Sequence, residues 1–279
     1  MLNKNLPIGV FDSGVGGLTV LRALQDALPN ESFIYLGDTA RLPYGTKSAE
    51  TVTQYALHAS HILAERQVKL LVIACNTAST VALDVLEKAY APMPVIGVLK
   101  AGARAACLAT RDNTIAVIAT EATINAKGYE REIAALKPDA HVVSRACSVF
   151  VSLAEEGWAN DPITIEAAKR YLNPLLHDYQ PEPDCLVLGC THFPVLKDAI
   201  HTVAGNKVTI VDSASATAVE VKALLDEQDT HTKSNAKPQT HFIVTDAPTR
   251  FTQTAERFLG RPVDPATVEL VDSQFVKMD

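Results

Sequence analysis

Long apolar runs are missing from this chain of 279 residues. Stretches such as Leu70 to Ala74 and Cys185 to Leu188 are among its longest, and they fall far short of the ~20 apolar residues that a membrane-spanning helix needs. The N-terminus also lacks a sustained apolar segment followed by a small-residue cleavage site. We therefore expect a soluble protein without a membrane partner or a secretory leader.

Cysteine is scarce and odd in number, with five residues. In a chain of this size and class an odd count favours reduced thiols over a disulfide framework, so we expect a cytoplasmic protein. A positive field is missing too, because the formal net charge is −7 and Lys and Arg form no dense run. This argues against nucleic acid as a partner, and an anionic substrate would need local donors to overcome the overall repulsion.

Short runs of Val, Ile and Leu are present throughout, and they alternate with longer stretches of helical periodicity. These runs predict strands at 8–11, 33–36, 70–74, 95–99, 115–118, 142–143, 186–188, 208–211, 242–244 and 268–271. The alternation predicts an α/β fold with mainly parallel sheets and crossover helices. In such sheets, ligands bind beyond the carboxyl ends of the strands.

Two segments of the chain share one pattern of residue types. LLVIACNTAST from Leu70 resembles CLVLGCTHFPV from Cys185, since each is an apolar strand, a small residue, a cysteine and the start of a helix. Each half of the chain then supplies one strand end with a thiol, Cys75 or Cys190. The pattern predicts two similar lobes that face each other.

Both cysteines are expected where a strand gives way to a helix N-terminus. Backbone N–H groups and the helix dipole at such a point lower a thiol pKa from ~8.5 toward neutrality. A single free cysteine is more often a small buried residue, which is our interpretation of Cys107, Cys147 and Cys185. Two thiols in matching positions instead favour a reactive pair.

Two other ligand classes fit the motifs poorly. Cys185, Cys190 and His192 do not complete a four-ligand zinc set. The segment GVFDSGVGG has Thr19 where a dinucleotide loop needs its third glycine, and no P-loop lysine follows. The glycines instead allow a tight turn with Asp12 and Ser13 near a small ligand, although helix capping explains either residue alone.

Among three further residues, Tyr44 and His192 have two explanations each and Glu155 has one. Tyr44, between Pro43 and Gly45, either lines a pocket or packs on the surface. Glu155 is by charge pattern a solvated carboxylate at the end of a short helix. His192 fits a site residue or a satisfied, partly buried histidine.

Together these motifs resemble the glutamate racemases, the cofactor-independent members of the aspartate/glutamate racemase superfamily. The resemblance rests on IGVFDSGVGGLTV, YLGDTARLPYG, ACNTAST, GCTHFPVL and FIVTDAPTRF, and it covers nearly the whole chain. It implies two α/β lobes with the active site in the cleft between them and a C-terminal segment that returns to the first lobe. We expect residues 1–98 with 209–279 in the first lobe and 99–208 in the second. No cofactor and no metal are implied.

The resemblance also implies residue roles. Cys75 and Cys190 match the two catalytic bases, Asp12 the group that assists the first, and Glu155 and His192 those that assist the second. The positions that match the substrate pocket are Asp12, Ser13, Pro43, Tyr44, Gly45, Asn76, Thr77, Thr191 and His192, with Thr120 and Thr123 in a loop that holds the substrate carboxylate. Ala119, Ser148 and Ser152 depart from the family pattern, and these changes weaken the assignment of Glu155 but leave the two cysteines untouched.

The implied activity is the interconversion of L- and D-glutamate by proton transfer at Cα, which supplies D-glutamate for peptidoglycan. A homodimer and a peptidoglycan precursor as activator stay open. Two alternatives stay open as well, an aspartate racemase of the same superfamily and a non-catalytic amino-acid-binding protein. The two cysteines argue against the single-thiol decarboxylases, and together with the missing leader they count against a binding protein.

Overall fold

The computed structural model describes residues 3–272, and in that range the chain forms two parallel β-sheets flanked by helices. The strands are β1 Ile8–Asp12, β2 Phe33–Gly37, β3 Leu70–Ile73, β4 Val95–Gly97, β5 Thr114–Ala119, β6 His141–Ala146, β7 Cys185–Gly189, β8 Thr209–Asp212, β9 Thr240–Val244 and β10 Val268–Leu270. The predicted α/β class is confirmed. The terminal residues 1–2 and 273–279 of the predicted first lobe lie outside the described range.

Helices connect the strands. They are α1 Leu18–Ala27, α2 Ala49–Glu65, α3 Asn76–Val81, α4 Leu83–Tyr90, α5 Val98–Ala109, α6 Glu121–Asn125, α7 Gly128–Leu136, α8 Val149–Glu155, α9 Pro162–His177, α10 Lys197–Ala204, α11 Ser213–Glu227 and α12 Pro248–Leu259. Short 3₁₀ turns lie at Tyr44–Thr46, Phe193–Leu196 and Pro265–Thr267. Within residues 3–272, none of these helices has the length and apolar character needed to cross a membrane.

The two sheets share a strand order. The six-stranded sheet runs β10-β9-β2-β1-β3-β4, and the four-stranded sheet runs β6-β5-β7-β8. The segment β2-β1-β3-β4 of the first sheet therefore has the same connectivity as the whole second sheet, with β3 equivalent to β7. We call the six-stranded sheet with its helices the first lobe and the four-stranded sheet with its helices the second lobe.

Burial explains why the inner strands are so apolar. β1, β3, β5 and β7 are buried along their whole length, because helices cover both faces of each sheet. Parallel pairing also aligns the strand ends, with Phe11 opposite Ile73 and Ala119 opposite Gly189. The residues that follow β1 and β3, and those that follow β5 and β7, are thereby brought to one edge of each sheet.

The expected lobe boundary needs a correction. We expected the return to the first lobe at residue 209, but β8 (Thr209–Asp212) pairs with β7 in the second sheet. Asp212 then caps α11 by accepting a hydrogen bond from the Ala214 N–H. Because α11 packs against both α1 and α5, the chain passes between the lobes along this helix.

Candidate active site

A cavity of about 300 Å³ lies where the carboxyl ends of the two sheets face each other. The predicted residues that line it are Ser13, Pro43, Tyr44, Gly45, Cys75, Asn76, Thr77, Thr120, Glu155, Cys190, Thr191 and His192. Cys75 follows β3 and Cys190 follows β7, so each sheet supplies one thiol from equivalent strands. The cavity has the volume of a small-molecule site.

Two predicted pocket residues, Asp12 and Thr123, are absent from the lining. Asp12 is fully buried behind the wall, where its Oδ2 accepts a hydrogen bond from the Gly14 N–H at 2.9 Å. Its Oδ1 has no hydrogen-bond partner among the described residues. Burial raises the Asp12 pKa, an effect that the charge of His192 only partly opposes. Asp12 therefore lies behind the cavity wall and close to Cys75, and its expected contact with a substrate stays a prediction.

Six lining residues escaped the sequence prediction: Gly14, Leu42, Thr46, Ser148, Val151 and Ser152. Ser148, Val151 and Ser152 precede Glu155 by seven, four and three residues, the spacing of one helix face. Given Glu155, that periodicity was enough to find them. Leu42 and Thr46 flank the predicted loop residues and are adjacent to them in sequence.

Cys75 sits in an environment that opposes its ionisation. It is the residue before α3 and only 5% exposed. Burial, followed by the nearby Asp12 carboxylate, raises the pKa of Cys75 to about 12, and hydrogen bonds from the Ala78 N–H and the Ser13 side chain do not compensate. The lowered pKa expected from the helix N-terminus is therefore wrong for Cys75, because α3 is a helix of six residues and desolvation outweighs its field.

Cys190 lies beside His192, which also contacts Glu155. Its Sγ lies 3.8 Å from Nδ1 of His192, and Nε2 of the same ring lies 3.0 Å from Oε1 of Glu155. Burial alone would lower the His192 pKa, but the hydrogen bonds with Cys190 and Glu155 outweigh it and raise the pKa to about 10. The bond from His192 in turn holds the pKa of Glu155 below its usual range. His192 is thus an imidazolium at neutral pH, between a sulfur and a carboxylate.

Glycine brings the first-lobe turn against this group. A Cβ on Gly16 would lie 2.4 Å from both Nδ1 of His192 and Oγ1 of Thr191, a distance that real Cβ atoms do not adopt. Beside it, the Thr19 hydroxyl donates to the carbonyl oxygen of Thr191 at 2.9 Å. Gly16 of the DSGVGG motif therefore permits close contact between the lobes.

The loop that carries Tyr44 is held in place by hydrogen bonds to a buried aspartate. The Tyr44 hydroxyl donates to Oδ2 of the buried Asp38 at 2.5 Å, and Thr245 at the end of β9 donates to Oδ1 at 2.8 Å. Tyr44 is 1% exposed. It lines the cavity and does not lie on the surface.

Polar donors surround the space between the thiols. The hydroxyls of Thr77, Thr120 and Thr123 lie 3.1–3.2 Å from one another. Nδ2 of Asn76 is buried without a hydrogen-bond partner among the described residues. No group of three or more His, Cys, Asp or Glu suited to a metal ion occurs within residues 3–272. Two thiols with separate assisting groups can exchange protons with a bound molecule, and the donors between them can bind an anion.

Comparison with known proteins identifies the family that shares this architecture. Residues 8–221 match the model of the Asp/Glu/Hydantoin racemase family. The chain is 48% identical over 264 residues to a glutamate racemase of Syntrophus aciditrophicus (strain SB), an alignment that spans 93% of this chain and 96% of the relative.

Comparison with solved structures leads to the same family. A glutamate racemase from Francisella tularensis in complex with D-glutamate has a TM-score of 0.89 and 39% identity, with coverage of 96% of this chain and 98% of that one. The Escherichia coli glutamate racemase in complex with L-glutamate and the activator UDP-MurNAc-ala has a TM-score of 0.77 and 29% identity, with coverage of 96% and 98%. The match extends over both lobes and all the strand ends that line the cavity, and this chain therefore belongs to the Asp/Glu/Hydantoin racemase family.

Proposed function

We propose that this enzyme is a glutamate racemase that interconverts L- and D-glutamate without a cofactor by proton transfer between Cys75 and Cys190. The observation that carries the proposal is that both thiols line one cavity, each from the equivalent strand of a different sheet. The names of the relatives supply the substrate, since one solved relative holds D-glutamate and another holds L-glutamate.

Racemisation removes the proton from one face of Cα and returns a proton to the other face. One sulfur must be a thiolate and the other a thiol at the start of each turnover. The His192 imidazolium is complementary to a thiolate at Cys190, whereas burial and Asp12 keep the proton on Cys75. The resting site is thereby prepared for Cys190 to remove a proton and for Cys75 to return one.

The reverse direction requires a thiolate at Cys75. Asp12 is the group placed to help, because it lies close to Cys75 and its Oδ1 is free of hydrogen bonds among the described residues. Its pKa is raised by burial, which makes the carboxylate a better proton acceptor than an exposed aspartate. We assign Asp12 the acceptance of the Cys75 proton, while the His192 imidazolium gives its proton to the Cys190 thiolate, and Cys190 then returns that proton to the substrate.

Removal of the α-proton places negative charge on the substrate carboxylate. The donors that face the cavity are the Asn76 amide and the hydroxyls of Thr77, Thr120 and Thr191. A preorganised donor of this kind stabilises a developing oxyanion by about 3–4 kcal/mol. Several of them together replace the electron sink that a cofactor would supply.

The wider role follows from the same assignment. We propose that the enzyme supplies D-glutamate for peptidoglycan in the cytoplasm and that a peptidoglycan precursor activates it, as the E. coli relative is described with the activator UDP-MurNAc-ala. A homodimer is part of this proposal. Aspartate is the competing substrate, and the glutamate racemase identity of the relatives favours glutamate.

The deciding assay incubates purified protein with L- or D-glutamate, without added cofactor, and follows circular dichroism. We expect decay of the signal toward zero from either enantiomer and a higher kcat/KM for glutamate than for aspartate. Equal or faster turnover of aspartate would remove the substrate assignment. Binding of glutamate without any loss of optical activity would instead identify a non-catalytic binding protein.

A further inference from the structure

One hydrogen bond at the active site joins the two lobes through an uncharged tyrosine. Tyr129 lies on α7 of the second lobe and is 1% exposed. Its hydroxyl donates to Oδ1 of Asn76, the first residue of α3 in the first lobe, at 2.7 Å. Asn76 is itself 3% exposed and lines the cavity.

The other end of the Asn76 amide is free. Nδ2 is buried and has no hydrogen-bond partner among residues 3–272. A buried amide nitrogen without a partner is costly, so a group that accepts its hydrogens is expected when the site is filled. Because Oδ1 is held by Tyr129, Nδ2 is the atom left for a molecule in the cavity.

The ring of Tyr129 occupies a slot made by two glycines. A Cβ on Gly102 would lie 3.0 Å from the Tyr129 hydroxyl oxygen, and one on Gly189 would lie 2.9 Å from its Cε2. Burial raises the pKa of Tyr129 above its ordinary value, which keeps the hydroxyl protonated as a donor. The position and the protonation of this group are therefore both set by the fold.

We propose that Tyr129 is a positioning residue that orients the Asn76 amide, so that Nδ2 donates to the anionic carboxylate of the substrate. An amide presents an acceptor on one side and two donors on the other. Rotation by half a turn would direct Oδ1 toward the anion, and two acceptors would then face each other. The Tyr129 O–H selects the favourable orientation, and it does so from the opposite lobe. The inference rests on the proposed function, because it requires a carboxylate substrate.

The test is a double-mutant cycle on kcat/KM for glutamate. Tyr129→Phe keeps the ring and removes the donor, and we expect kcat/KM to fall about 10- to 100-fold. Asn76→Ala should produce a similar loss, and the double variant should be no worse than Asn76→Ala alone, because Tyr129 acts through Asn76. The matched control is Tyr90→Phe, which removes a hydroxyl that donates to the Leu57 carbonyl away from the cavity, and it should keep wild-type kcat/KM.

A second variant tests the same hydrogen bond without replacing Tyr129 or Asn76. Gly102→Ala introduces a methyl group 3.0 Å from the Tyr129 hydroxyl and should displace it, with a loss similar to that of Tyr129→Phe. Far-UV circular dichroism and thermal unfolding identify any variant that fails to fold. If the wild type does not racemise glutamate, the proposed function fails. If the wild type is active and Tyr129→Phe stays within twofold of it, or the losses in the double variant multiply, the role of Tyr129 is overturned.

Discussion

Replacement of Glu155 by Gln tests the charge arrangement around Cys190. Glu155 accepts a hydrogen bond from Nε2 of His192 at 3.0 Å, and its side chain is 27% exposed. Gln preserves the shape and an acceptor oxygen but removes the negative charge. A hydrogen bond to a charged group stabilises by about 1.5–3 kcal/mol, and ~1.4 kcal/mol corresponds to one pH unit, so the exchange should lower the pKa of His192 by roughly one to two units.

The direction of the pH effect follows from the protonated form of His192, which is the form that assists Cys190. His192 has a pKa of about 10, so the imidazolium is present at neutral pH and is lost as the pH rises through that value. Activity that depends on the imidazolium therefore has a falling alkaline limb. In Glu155→Gln that limb should move to lower pH by roughly one to two units, which is the expected shift of the His192 pKa.

The assay is the pH dependence of kcat/KM, measured by circular dichroism from neutral pH through the alkaline limb. The ratio of kcat/KM values in the two directions must equal the unchanged equilibrium constant, so both directions should show the same shift. By contrast, kcat alone should fall more in the direction in which Cys190 removes the proton. Glu156→Gln, an exposed carboxylate one residue away, is the matched control. An alkaline limb that stays in place in Glu155→Gln would refute the reasoning and leave Glu155 a structural role.

Further predictions concern the thiols, the interlobe contact and the buried ion pair. Cys75→Ala and Cys190→Ala should each lower kcat by about 10²–10⁴-fold, with the double variant little worse, and an active single variant would exclude the two-thiol mechanism. In D₂O at early times deuterium should appear in the product enantiomer and not in recovered substrate; rapid label in the substrate would indicate one base. Gly16→Ala should lower kcat/KM because its methyl group meets the His192 ring at 2.4 Å, and wild-type kcat/KM would show that the lobes need not approach this closely. Lys69→Met removes one partner of a buried ion pair with Glu31 at 2.6 Å and should lower the free energy of unfolding by about 3–5 kcal/mol in urea titration. A loss no larger than that of the exposed-pair control Lys169→Met would contradict it.

Sequence pattern alone determined most of the strands and the positions of the two thiols. Inner strands such as β3 and β7 are short apolar runs because both of their faces are buried, and that burial is visible as composition. Parallel strands present their carboxyl ends at one edge, so residues directly after the runs, such as Ser13 and Thr120, were expected near a ligand, whereas Pro43 and Gly45 were expected from the family resemblance. The repeated strand–cysteine–helix pattern located Cys75 and Cys190 for the same reason.

Tertiary structure decided what surrounds those residues. The Cys75 pKa is raised because side chains from several elements exclude water from it, and a helix start visible in sequence says nothing of that desolvation. Tyr129 reaches Asn76 over a separation of 53 residues and between lobes, and no local periodicity encodes such a pair. The boundary error at β8 has the same origin, because an apolar run predicts a strand but not the sheet that it joins. Propensity and burial pattern are properties of neighbouring residues, whereas pairing, desolvation and hydrogen bonds between lobes depend on how distant segments pack.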